Sequence, residues 1–185
     1  METQSINPEI KHIPPKWISI HYVVIKNNFE KDMKENPNDF DVYLQNAISK
    51  YLKQDLTGSL TAFDNAVIMN PGNAEYYYYR SLLKFAMNDY PGVVKDCSLA
   101  LKKKPGFEKA ILRRGVAEHQ CGLFTKALDD LDWSIDLNPQ CGQAWFVRGI
   151  VKITMGDKKT GVSDVFKGQS LGYKDGCVLY SGKWE

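Results

Sequence analysis

Four prolines, Pro37, Pro71, Pro105 and Pro139, stand 34 residues apart each time, in the contexts Asn36-Pro37-Asn38, Asn70-Pro71-Gly72, Lys104-Pro105-Gly106 and Asn138-Pro139-Gln140. A proline lacks the amide N–H that a helix interior needs, and it disfavours helical geometry in the residue before it. Each one therefore closes a helix, and the small or polar residue that follows completes a turn. Every period divides again near its middle, at Gln54-Asp55-Leu56-Thr57-Gly58, Asn88-Asp89-Tyr90-Pro91-Gly92, Cys121-Gly122-Leu123-Phe124 and Met155-Gly156-Asp157-Lys158. The pattern predicts an internal repeat of two helices of about thirteen residues each.

Composition narrows the function classes. The chain has 185 residues, 43% of them apolar, enough for a sizeable core in one or two domains. Its net charge of +2, from 24 basic and 22 acidic residues, is too balanced to favour nucleic acid or an acidic membrane as a partner. The basic run Lys102-Lys103-Lys104 reads as a solvated helix C-terminus favoured by the helix dipole. The opening METQSINPEIKHIPP lacks a basic region followed by an apolar one, and no stretch of 18 apolar residues occurs. The expectation is a cytoplasmic chain with no membrane span. Cys97, Cys121, Cys141 and Cys177 show no CxxC spacing, and His12, His21 and His119 are scattered, so reduced thiols and no metal site are expected. No phosphate loop, nucleotide fingerprint or acid–base pair is visible, and Asp129, Asp130 and Asp132 read as a solvated helix face. The chain is expected to be non-catalytic, without a cofactor.

The repeat resembles the tetratricopeptide repeat (TPR), whose 34-residue pattern is W-x2-L-G-x2-Y, then A-x3-F, then P. The third period gives Ile111, Arg114, Gly115 and Glu118, then Ala127 and Leu131, then Pro139; the second gives Tyr77, Arg80, Ser81 and Lys84, then Val93 and Cys97, then Pro105. The first gives Tyr43, Asn46, Ala47 and Lys50, then Ser59 and Phe63, then Pro71, and the fourth Trp145, Arg148, Gly149 and Lys152, then Gly161 and Val165, with Tyr173 in place of proline. Arginine departs from the apolar seventh position three times. The resemblance implies an all-α, right-handed solenoid of antiparallel helix pairs. Its expected units are 40–73, 74–107, 108–141 and 142–175, preceded by an extended arm (1–15) and a capping helix (16–38, helical over 16–35) and followed by a short tail (176–185).

Arg80, Arg114 and Arg148 each precede an aspartate, Asp96, Asp130 and Asp164, by sixteen residues, while the first unit lacks both partners, with Asn46 and Ala62. Joint presence and joint absence predict interhelical ion pairs. The stretch AEYYYYRSLL poses a different problem, since one helix face cannot use four consecutive aromatics. Tyr77 takes the large-residue core position of Tyr43, Ile111 and Trp145, and Tyr76 is expected on the preceding unit, leaving Tyr78 and Tyr79 as candidates for binding.

A TPR stack implies a concave groove lined by the first helix of each unit. The expected lining is Leu44 and Ile48, then Tyr78, Tyr79 and Leu82, then Lys109, Leu112, Arg113, Val116 and His119, then Phe146 and Ile150. Some TPR proteins clamp the C-terminal carboxylate of chaperone tails, and Lys109-x3-Arg113 resembles the basic pair of their third repeat. The rest of that clamp is missing, because Leu44, Ile48 and Tyr79 stand where its polar residues would be. The implied function is binding of a protein segment with apolar anchors and some acidic character. The residues leave open a second reading, a structural or self-associating module whose groove is filled by its own N-terminal arm or by another copy.

Overall fold

A computed structural model describes residues 42–173, with the Val42 side chain left aside. The arm, the capping helix and the tail at 176–185 lie outside these residues. Eight helices follow one another: α1 (Val42–Leu52), α2 (Leu56–Met69), α3 (Ala74–Ala86), α4 (Tyr90–Lys103), α5 (Glu108–Gln120), α6 (Phe124–Leu137), α7 (Gly142–Thr154) and α8 (Lys158–Ser170). No strand occurs among the described residues. Each helix packs on its sequence neighbours, and α3 on α5 and α5 on α7. The first helices thus form one layer and share one face.

The turns show why the period is so regular. At the end of each first helix one residue takes a left-handed conformation, Gln54 (φ 64°), Asn88 (φ 58°), Gly122 (φ 74°) and Gly156 (φ 98°), again 34 residues apart. That conformation ends a helix by turning its last carbonyls onto the next amides, and it suits glycine and asparagine best. The following residue caps the second helix. The carboxylates of Asp55, Asp89 and Asp157 accept from the amides of Gly58, Gly92 and Thr160 at 2.8, 2.9 and 3.1 Å, whereas Leu123 in the third unit makes no such bond. The expected proline turns follow α2, α4 and α6 at 71–72, 105–106 and 139–140.

Helix pairs close on small residues. Ser59 Oγ donates to the Ala47 carbonyl at 2.8 Å across the first pair. In the last pair α7 and α8 meet backbone to backbone: a Cβ on Gly149 would lie 2.5 Å from the Gly161 carbonyl oxygen and 2.8 Å from Val165 Cγ2. The apolar core runs through α1–α5 around Phe63, Leu83 and Ile111, and continues through α5–α8 around Leu131 and Val151. Tyr77 is buried, and its hydroxyl donates to the Pro71 carbonyl at 3.2 Å; Trp145 Nε1 repeats the bond to Pro139 at 2.9 Å. Tyr43, expected at the same core position, is exposed instead. It stands at the edge of the described stack, with no described unit before it.

Two outcomes follow. Leu123→Asp supplies the missing cap at an exposed site and is expected to raise the unfolding free energy by about 0.5–2 kcal/mol in urea titrations. Gly149→Val forces α7 and α8 apart and is expected to lower it by about 1–3 kcal/mol.

Candidate functional site

The shared face of the first helices is the candidate site, and it is not uniformly open. Sequence reasoning placed exposed binding aromatics at Tyr78 and Tyr79, but the structure buries both, each at 4% exposure. Tyr78 is held between the rings of Tyr79 (5.3 Å) and Phe107 (5.0 Å), the latter on the turn into α5. Leu44, Ile48 and Leu82 are also buried, as are Val116, Phe146 and Ile150. Phe146 packs on Tyr173 at 5.3 Å, beyond the end of α8. Of the expected lining only the α5 stripe reaches solvent, with Lys109 exposed and Leu112, Arg113 and His119 half-buried.

Electrostatics distinguish that stripe. The Arg113 guanidinium rests 4.9 Å from the centroid of the Phe85 ring on α3, a cation–π contact that holds the charge at the surface. Burial lowers the pKa of His119, whose ring lies 5.9 Å from Phe124, so the imidazole is neutral at pH 7 and the stripe's positive charge comes from Lys109 and Arg113. Glu75, in the first turn of α3, accepts from Lys104 Nζ at 2.8 Å.

Exposed apolar side chains on the second helices escaped sequence reasoning: Ile68 and Met69 on α2, Trp133 and Leu137 on α6, Val162 and Phe166 on α8. Phe166 had a visible signal, because the same repeat position holds Asp64, Ser98 and Asp132 in earlier units.

Those three residues complete the arginine network. Arg80 donates through Nε and one terminal nitrogen to Asp96 at 2.8 and 2.6 Å, and through the other to Asp64 on the preceding second helix at 2.8 Å. Arg148 does the same with Asp164 (2.7 and 2.9 Å) and Asp132 (2.6 Å). Arg114 holds Asp130 at 2.6 and 2.7 Å but finds Ser98 Oγ, at 3.3 Å, on its other side. Each arginine therefore bridges two second helices, sixteen residues before it and sixteen after.

A lysine supplements the outer two networks, Lys84 to Asp96 at 2.9 Å and Lys152 to Asp164 at 2.7 Å. In the third unit that position is Glu118, buried beside Asp130, with Oε2 lacking a hydrogen-bond partner among the described residues. Burial first, and then the Asp130 carboxylate, raise the Glu118 pKa from 4.5 to about 7, against the attraction of Arg114 and Lys126. The folded state therefore binds this proton more tightly than the unfolded chain does. Its contribution to stability is greatest below pH about 4.5 and is lost as pH rises to about 7. Glu118→Lys restores the pattern of the neighbouring units. It is expected to raise the unfolding free energy at pH 8 by about 1–3 kcal/mol, the usual cost of an unsatisfied buried group, and to shrink its advantage over wild type at pH 5.

Among the described residues no cluster of three or more His, Cys, Asp or Glu is placed to hold a metal ion, and no helix is long and apolar enough to cross a membrane. No family model matches the chain. Mouse serine/threonine-protein phosphatase 5 is 28% identical over 97 residues, 52% of this chain. The chain spans 19% of the length of each of the first curated relatives it matches. Among solved structures, MamA is similar with a TM-score of 0.66 at 16% identity, over 89% of this chain and 98% of that one. The TPR domain of Arabidopsis OM64 is similar with a TM-score of 0.58 at 22% identity, over 60% of this chain and 93% of that domain. The 34-residue period, the paired helices and these likenesses give the described residues the all-α fold of a tetratricopeptide-repeat solenoid.

Proposed function

We propose that the chain is a non-catalytic, cytoplasmic protein–protein interaction module that takes a peptide or helix of a partner protein onto its concave face, centred on the α5 stripe. The observation that carries this reading is the exposed Lys109 beside half-buried Leu112, Arg113 and His119, with the guanidinium of Arg113 laid on Phe85. Arginine in such a position offers directional donors to a carboxylate while its flat face covers a ring. The half-buried apolar neighbours supply area for an aliphatic or aromatic anchor. Together they suit a segment with acidic residues next to apolar ones. A carboxylate clamp of the chaperone-tail kind is disfavoured, since the first-unit positions it needs are the buried Leu44 and Ile48.

Selection from a displayed peptide library against the whole chain should enrich segments that combine Asp or Glu with Leu, Ile, Phe or Trp. Lys109→Glu with Arg113→Glu should weaken the selected peptide about tenfold or more in fluorescence anisotropy, a loss of at least about 1.4 kcal/mol, with the circular dichroism spectrum unchanged. Selection of basic peptides, or full affinity in the double variant, would move the site to the outer face around Trp133 and Phe166.

A further inference from the structure

We propose that the outer face of α6 is a docking ridge for a second copy of this chain, which takes it on the α5 stripe of its own concave face, so that copies nest head to tail. The inference rests on the binding reading above and names one further occupant of the same stripe.

Helical spacing builds the ridge. Residues three and four apart share a helix face, and Asp129, Asp132, Trp133, Asp136 and Leu137 form one such line along α6. All five are exposed, Trp133 by 38% and Leu137 by 46%. Asp132 is held by Arg148 at 2.6 Å. Asp129 and Asp136, about one turn to either side of Trp133, make no ion pair among the described residues. An indole at the surface with a carboxylate on each side has the chemistry that suits the α5 stripe. There Lys109 and Arg113 also stand about one turn apart, and Leu112 beside Arg113 is half-buried. Pairing the carboxylates of one copy with the cations of the next leaves Trp133 to cover Leu112. Tryptophan is prominent among the side chains that anchor interfaces, and the charges fix the register.

The other second helices do not fit the stripe. Helix α4 exposes Lys95, Lys102 and Lys103, and α8 sets Val162 and Phe166 among the exposed Lys158, Lys159 and Lys167. Both ridges carry the sign of Lys109 and Arg113 and are repelled by them. Helix α2 exposes Ile68 and Met69, but its Asp64 is engaged by Arg80 at 2.8 Å. Among the described residues, α6 thus combines apolar anchors with uncommitted carboxylates. Ridge and stripe are different surfaces of one chain, so the contact is heterologous and adds copies to a row or ring instead of ending at a symmetric pair. Each stripe filled in this way is closed to a partner segment until that segment displaces the neighbour's α6. Self-docking therefore sets the threshold for capture, and salt lowers it by screening the charges.

Sedimentation velocity of the full chain, from low to high micromolar concentration at low salt, should show association that grows with concentration and fades as salt is added. Two variants separate the surfaces. Lys109→Glu with Arg113→Glu reverses the stripe, and Asp129→Lys with Asp136→Lys reverses the ridge at exposed positions. Each alone should sediment as a monomer with an unchanged circular dichroism spectrum. An equimolar mixture of the two should associate again, because each supplies the charge that the other's altered surface requires. Trp133→Ala, at an exposed side chain, should weaken association of the otherwise unchanged chain about tenfold. A wild type that stays monomeric over the whole range, association that persists in either charge variant, a mixture of folded variants that stays monomeric, or full association of Trp133→Ala would overturn the proposal. None of these measurements involves a partner. Enrichment of acidic–apolar peptides with a monomeric wild type would therefore overturn self-docking alone, and restored association in the mixture without such enrichment would overturn the partner reading alone.

Discussion

The solenoid depends on how each unit is fixed to the next, and the arginine bridges supply that constraint. Arg80 and Arg148 each hold their own unit's second helix with two bonds and the preceding one with a third. A guanidinium presents its donors in a planar fork, so satisfying two carboxylates at once fixes the distance and angle between the helices that carry them. Asp96 is fully buried, so removing Arg80 leaves a buried carboxylate with Lys84 as its remaining ion-pair partner, a larger loss than breaking a surface pair. Apolar burial supplies the general drive to stack. The bridges select one stacking geometry, and from that geometry the shared concave face follows.

The third unit keeps the Arg114–Asp130 pair but departs from its neighbours at three positions. Its Arg114 meets Ser98 of the preceding unit where Arg80 and Arg148 meet aspartate, and it has Glu118 where its neighbours use lysine and Leu123 where they use a capping aspartate. It is also the unit that presents the exposed Lys109 and the half-buried Arg113. Weaker internal fixing beside the open part of the concave face is consistent with a site that adjusts to a segment laid on it, since regions that move on binding are drawn from the less stable parts of a fold.

Much of the architecture was legible in the residues because its determinants are local and periodic. Prolines end helices through their own covalent geometry, and small residues mark close approach, as at Gly149 and Gly161. The spacing of sixteen from arginine to aspartate needed only counting, although the same spacing backward to Asp64 and Asp132 passed unnoticed and was available in the same way. Exposure was not legible. A repeat register says which way Tyr78 and Tyr79 point, but their burial depends on what lies opposite, and Phe107 belongs to the next unit's turn. Tyr43 shows the reverse case, a core position by register that stands exposed at the edge of the described stack.

The central claim is that the stripe of the first helices is buried on α1 and α3 and reaches solvent along α5. Hydroxyl-radical footprinting of the intact chain, read residue by residue by mass spectrometry, tests it most directly. The account predicts that Tyr78 and Tyr79 are as protected as Tyr76, while Leu112 and His119 are modified readily and Tyr43 and Phe166 react fastest. Modification of Tyr78 and Tyr79 at the rate of Tyr43 would contradict it, showing a groove that stands open along its whole length.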